Sequence, residues 1–258
     1  MAVDIRASLK KFIPHLLKAQ EENLNEADTV QRLIKFFEDV LSYNALSEIT
    51  RESQIKDKYV DIAVRINNTV RLLIEVKAAG IVLRERHIEQ AERYAADGNI
   101  KWVLLTNGIE WNLFHLSFDE GIESTKVFTV NITTDSIDKT SMLLGLLHKQ
   151  SIVKGDLEDY WQKTAALHPG SIGKAIFTED VLRFIRREIR KKEGIMIDEE
   201  DLAKALHEMF SAETREQIGP MKIRRKRKIK EAKQPEEEKK EQVIVDANKS
   251  PDENQNKL

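Results

Sequence analysis

Apolar and polar positions alternate between Tyr59 and Lys77 in the manner of a β-hairpin, with charged residues set into both strands. Val60, Ile62, Val64 and Ile66 form the apolar face of the first predicted strand, and Val70, Leu72, Ile74 and Val76 that of the second. Asp61 points away from the first set, and Glu75 with Lys77 away from the second. The two apolar sets share one side of the sheet when Ile66 pairs with Val70, so we expect a three-residue Asn67-Asn68-Thr69 loop. That register sets Asp61 across from Glu75, within the ~4.5–5.5 Å Cβ spacing of cross-strand neighbours, with Lys77 one repeat further along the same face. A two-residue Asn67-Asn68 turn would instead set Asp61 against Ile74.

Helical periodicity brackets the hairpin. Residues 1–23 read as an amphipathic helix interrupted near Pro14, carrying Leu9, Phe12, Ile13, Leu16 and Leu17. Asn25 is placed to cap a second helix bearing Val30, Leu33, Ile34, Phe37 and Leu41, which sets Glu26 in its first turn on the core-facing side. An edge strand is expected within 45–53. After Lys77-Ala78-Ala79-Gly80, a helix is expected from about Arg84 to Ala96, stopping before Asp97-Gly98, with Gln90 and Tyr94 one turn apart. Strands at Trp102–Leu105, Trp111–Phe114 and Val127–Ile132 complete a mixed sheet flanked by helices. Beyond 135 the pattern is helical: Leu143, Leu144, Leu146 and Leu147 make one patch, and Leu157, Tyr160, Trp161 and Leu167 another. Thr178 and Asp198 mark two further helix starts and Gly194 a helix end. From Pro220 onward blocks of basic and then acidic residues replace the pattern, the composition of a disordered tail. The expected organisation is 1–135, a sheet-containing domain; 136–219, a small helical subdomain; and 220–258, a disordered charged tail.

Charge and composition narrow the chemistry. Forty-two basic and 44 acidic residues nearly cancel, so only local clusters bear on partners. The absence of cysteine excludes disulfides and thiolate zinc sites, and no apolar run nears a membrane span, which leads us to expect a cytoplasmic protein. The histidines lack a His-x-x-x-His spacing. Gly170-Ser171-Ile172-Gly173-Lys174 has glycine spacing too short for a phosphate loop, and Ala175 stands where a Ser or Thr would bind Mg²⁺. The helix that starts at Thr178 and ends at Glu193-Gly194 carries Arg183, Arg186, Arg187, Arg190, Lys191 and Lys192, either a solvated face or a phosphate-contacting one.

An Asp facing a Glu-x-Lys is a serviceable kit for cutting a phosphodiester. Two carboxylates can hold Mg²⁺, with Mn²⁺ as a substitute, while a lysine positions or deprotonates the attacking water or stabilises phosphorane charge. Glu26, Asp61, Glu75-Val76-Lys77 and Gln90-Ala91-Glu92-Arg93-Tyr94, in this order, resemble the PD-(D/E)xK nuclease superfamily. Asn25-Glu26-Ala27, the Gln-x-x-x-Tyr spacing and Thr106-Asn107-Gly108 followed by Trp111 resemble more narrowly the N-terminal nuclease domain of type I restriction enzyme R subunits. The likeness spans about residues 20–135 well and the helical part to about 215 loosely.

That resemblance implies an α/β, restriction-endonuclease-like fold and Mg²⁺-dependent endonucleolytic hydrolysis of DNA in a restriction or host-defence setting. It implies Asp61 and Glu75 as metal ligands, Lys77 as the catalytic lysine, and Glu26 touching the metal directly or through water. Gln90 and Tyr94 would orient the lysine, the water or the DNA backbone; apart from the resemblance, the phosphate-contacting reading of the basic helix would add DNA contacts from Arg183 and Arg187. R subunits continue into an ATP-driven translocase that is not found in these 258 residues, so a motor or specificity subunit would act in trans. Self-association stays open. The alternative is a non-catalytic DNA- or partner-binding module that keeps a nuclease fold.

Overall fold

The computed structural model describes residues 2–55, 58–118 and 121–219. The expected tail, 220–258, lies outside the described residues.

Two helices open the chain. α1 (Arg6–Glu21) runs through Pro14 without the expected interruption. Its buried residues, Leu9, Phe12, Leu16 and Ala19, lie on both sides of the proline, and Phe12 meets Phe36 edge-on at 5.3 Å between ring centroids. Burying three large side chains, at about 1.5–3 kcal/mol each, outweighs the roughly 3 kcal/mol penalty of an interior proline. α2 (Glu26–Asp39) begins as expected, with the Asn25 side chain accepting the Asp28 N–H at 2.9 Å.

Six strands follow in sequential order across one sheet: β1 (Ile49–Ile55), β2 (Lys58–Ile66), β3 (Thr69–Val76), β4 (Trp102–Thr106), β5 (Glu110–Ser117) and β6 (Glu123–Asn131). β3 and β4 pair in parallel and the remaining neighbours antiparallel, so the sheet is mixed. The crossover between β3 and β4 holds a 3-10 turn (Glu85–His87) and α3 (Glu89–Gly98), whose start is later than expected. β1 starts at Ile49 because Asn44–Glu48 is folded into a turn, in which the Asn44 side chain accepts the N–H groups of Leu46 and Ser47.

Both faces of the sheet are buried, which explains the unbroken apolar run of β4. Ile62, Val64, Ile74, Leu104, Trp111 and Leu113 pack on one side with α1 and α2, while Ala63, Leu73, Val103 and Leu105 pack on the other with Ala91, Tyr94 and Ala95 of α3.

The hairpin turn differs from expectation in a consequential way. Ile66 pairs with Thr69, so the loop is the two-residue Asn67-Asn68 turn, with φ of 51° and 61°. Such a primed turn needs left-handed backbone at both central positions, which asparagine tolerates, and its twist matches the strands. Parity is then corrected within the strand. The ladder passes from Arg65↔Val70 to Val64↔Leu72, leaving Arg71 as an extra, bulged residue, and continues through Ala63↔Leu73 to Ile62↔Ile74. The expected register therefore holds from Val64 onward, where the site lies. Val70 falls on the far side of the bulge and packs with the α3 cluster, as does Val60, so neither shares the face expected for it.

The helices after β6 divide between two cores. α4 (Ile137–Gly145), α5 (Lys149–Lys154) and α6 (Asp156–Ala166) contribute Leu143, Leu144 and Leu157 to the α1/α2 core, together with the adjoining Leu146 and Leu147. The expected 135/136 division thus falls inside one hydrophobic cluster. A separate cluster of Phe177, Leu182, Leu202 and Ala203 unites α7 (Pro169–Ile176), α8 (Glu179–Glu193), α9 (Glu199–Glu208) and α10 (Ala212–Ile218). Asp198 caps α9 and Gly194 ends α8 at φ 70°, but the Thr178 hydroxyl donates to the Ala175 carbonyl instead of capping α8.

Candidate active site

The site forms where β2 and β3 part company. Their last ladder pair is Ile62↔Ile74, and one step beyond it the same register sets Asp61 against Glu75. Beyond that point β2 stays with β1, through Ser53↔Val60, while β3 stays with β4, through Val76↔Thr106. The Asp61 carboxylate fills the opening by accepting the Val76 backbone N–H at 2.7 Å. Glu75 is 7% exposed, and its Oε1 accepts from the Lys77 ammonium at 2.7 Å. Glu26, at the first position of α2, comes within 3.5 Å of the same ammonium with its side chain 49% exposed. Asp61, Glu75 and Lys77 lie on the α3 side of the sheet. α2 packs on the other side, so Glu26 reaches Lys77 past the end of β3 and not by covering that face.

The electrostatics describe a site short of positive charge. Burial and the neighbouring Asp61 push Glu75 up to about 7, against the pull of Lys77. Asp61 is raised by burial and by Glu26 and Glu52, with the Val76 N–H opposing. Burial works against the charge of Lys77, but Glu75, Glu26 and Asp61 together hold its proton more firmly than usual. The raised lysine and raised glutamate pull in opposite senses for one ion pair. Both follow from a single ammonium serving several carboxylates: it is well satisfied and they are not.

Hard oxygen donors on adjacent strands, with unbalanced negative charge, fit Mg²⁺, which is commonly held by one or two carboxylates plus water and substrate phosphate. Among the described residues no cluster of three or more His, Asp or Glu side chains is gathered to hold a metal ion, so the fit rests on the Asp61/Glu75 pair. Glu26 contacts the lysine in this geometry.

The other expected residues are distributed differently. Gln90 is exposed and its Nε2 donates to the Tyr59 carbonyl at 2.9 Å, tying α3 to β2 two residues before Asp61. Tyr94 is fully buried in the α3 cluster, which removes it from direct contact with a DNA backbone. Arg183 and Arg187 lie on α8, in the separate C-terminal cluster. Arg183 pairs with Glu179 and Asp180, and Arg187 with Glu188 at 3.7 Å while lying over the Phe184 ring.

Sequence reasoning passed over Glu52 and the Arg84–His87 stretch, which neighbour the site. Glu52 stands across β1 from Asp61, between the pairs Arg51↔Ile62 and Ser53↔Val60, with a left-handed φ of 45°. Arg84, Arg86 and His87 follow Lys77 along the crossover and lie near enough for the cations to affect the imidazole. The signal was present in Arg84-Glu85-Arg86-His87, but charged residues of this kind also suit a helix, which is how the stretch reads.

Residues 25–127 match the family described as the N terminus of the type I restriction enzyme R protein (HSDR_N). The matched span runs from the α2 cap into β6 and includes Glu26, Asp61, Glu75, Lys77 and Gln90; it excludes α1 and α7 to α10. Neither the curated proteins nor the solved structures yielded a match to this chain.

Proposed function

We propose, with the likeness of residues 25–127 to a restriction R-protein N terminus as premise, that the chain is a metal-dependent endonuclease hydrolysing DNA phosphodiester bonds in restriction or defence. The observation that carries this reading is the convergence of Asp61, Glu75 and Lys77 on one face at the point where two strands diverge. Asp61 and Glu75 hold Mg²⁺, for which Mn²⁺ substitutes, and Glu26 assists from the start of α2. The bound ion supplies Lewis acidity toward the phosphate and lowers the pKa of coordinated water.

The remaining work falls to the protein's own groups. Lys77, whose proton is held by Glu75, Glu26 and Asp61, acts as an ammonium that steadies charge developing on the phosphoryl oxygens. The Val76 N–H and the Glu75 contact to Lys77 fix the two carboxylate side chains in place, so little reorganisation accompanies binding. Gln90 holds the start of β2 against α3 and serves as a positioning residue.

The matched family is the N terminus of a type I restriction enzyme R protein, and a motor or specificity subunit in trans is part of this reading. No helix among the described residues is long and apolar enough to cross a membrane, in keeping with a cytoplasmic site of action. The test is incubation of the purified chain with supercoiled circular DNA and Mg²⁺ or Mn²⁺ against a chelator control. Metal-dependent nicking is expected. Salt-sensitive binding without nicking, alone and with translocase subunits added, would replace this reading with a DNA-binding module.

A further inference from the structure

The segment between Lys77 and α3 is held at several points and still presents its cations to solvent. The Lys77 N–H donates to the Thr106 carbonyl at 2.9 Å and the Ala79 N–H to the Leu24 carbonyl at 3.1 Å. The Asn107 side chain donates to the Ile81 carbonyl at 2.8 Å, while its oxygen accepts the N–H groups of Ile109 and Glu110. Gly80 lies so close to the Asn23 side chain that an added Cβ would come 2.2 Å from Asn23 Oδ1. Leu83 and Ile88, at either end of the basic stretch, are buried. Between them the Arg84 N–H donates to His87 Nδ1 at 3.2 Å and the His87 N–H to the Arg84 carbonyl at 3.0 Å, a reciprocal pair that closes the turn.

Arg84 and Arg86 are exposed, and neither has a carboxylate partner among the described residues. The arginines of α8 contrast with them: Arg183 is paired within its own helix, and Arg186 is bound to Glu199 and the Ile197 carbonyl. Uncompensated guanidinium groups on an anchored turn cost little side-chain ordering relative to a mobile loop and suit bidentate phosphate contact.

We propose that the Arg84–His87 turn is the phosphate-gripping element of this site, with Arg84 and Arg86 contacting the backbone phosphates that flank the phosphodiester held at Asp61 and Glu75. This rests on the nuclease reading for the placement of the scissile bond, but the grip itself requires no catalysis. Burial, together with Lys77, Arg86 and Arg84, holds His87 below its ordinary pKa. His87 shapes the turn through its reciprocal bonds with Arg84.

The experiment measures binding of the full chain to a fluorescent DNA duplex by anisotropy, in chelator, over a range of salt. Each lost phosphate contact lowers the slope of log affinity against log salt by about one. Arg84→Gln/Arg86→Gln is expected to lower it by about two and to weaken binding on the order of tenfold at low salt. Arg84→Lys/Arg86→Lys should restore the slope, and Arg183→Gln/Arg187→Gln should alter it less than the 84/86 pair. An unchanged slope in the Gln pair overturns the proposal, as does a wild-type chain that does not bind DNA. Wild-type binding with this slope change, but no metal-dependent nicking, would leave the grip standing and remove the nuclease reading.

Discussion

Asp61 accepts the backbone N–H of Val76 at 2.7 Å, a bond across the gap where β2 and β3 separate. The carboxylate therefore has two tasks, closing the ladder's end and presenting its remaining lone pairs to the site.

Replacing Asp61 tests those tasks separately from Lys77. Lys77→Ala removes the ammonium and is expected to abolish nicking while the fold survives, since the lysine side chain is partly exposed. Asp61→Asn keeps an acceptor for Val76 but removes charge, so it should also abolish nicking with a thermal midpoint near wild type. Asp61→Ala should in addition lose about 1–3 kcal/mol, because the Val76 N–H is left unmet. Full nicking activity in either the lysine or the Asn variant would remove both residues from the mechanism.

The pH dependence of stability follows from Glu75. Its pKa rises from 4.5 unfolded to about 7 folded, so the folded state binds the proton more tightly. The associated stability is fully present below about pH 4.5 and is lost as pH rises through about 7, in total on the order of 3 kcal/mol without metal. Metal-free Glu75→Gln should therefore be more stable than wild type at pH 8, with the difference shrinking as pH falls toward 5. Mg²⁺ should raise the wild-type midpoint at pH 8 and leave that of the Gln variant nearly unmoved. Parallel pH profiles for the two proteins would contradict this assignment.

Deleting Arg71 probes the bulge. With Arg71 removed, Val70 joins Leu72 directly, so the ladder runs without a bulge from Ile66↔Thr69 through Val64↔Leu72 to Ile62↔Ile74 and still sets Asp61 against Glu75. The deletion is therefore expected to retain Mg²⁺ binding by calorimetry, as is Arg71→Ala, which keeps the bulge. Loss of metal affinity in the deletion alone would show that the twist added by the bulge, and not the pairing, positions the two carboxylates.

Asn107→Ala tests the anchoring of the crossover. The side chain is 7% exposed and satisfies Ile81, Ile109 and Glu110 at once. Its removal should cost about 2–3 kcal/mol and speed amide exchange at residues 79–83. An unaltered exchange pattern there would mean that the segment is held by its other contacts alone.

Much of this was readable in the sequence, and the exceptions have physical causes. The carboxylates of Asp61 and Glu75 interrupt apolar alternation, and burial of both faces made the interruption visible. Arg71 left no such trace, because Val70 and Leu72 show the same alternation whether or not a residue between them is bulged. The parity argument reached the right pairing at the site by way of the wrong loop. Tyr94 and Gln90 share a helix face on paper, but packing turned the tyrosine into the core and left the glutamine at its edge. Leu143 to Leu147 read as part of another unit because contact with α1 and α2 depends on the path of the chain, which local periodicity does not carry.

The parallel pairing of β3 with β4 also imposes an order on synthesis. The hairpin that brings Asp61 to Glu75 is local in the chain, whereas Lys77 and the segment after it are tied down by Thr106 and Asn107, which leave the ribosome later. A nascent chain thus possesses both acids well before their lysine is secured. The completed site arises only once the sheet has grown past its crossover, so the proposed cleavage would wait until the domain is largely made.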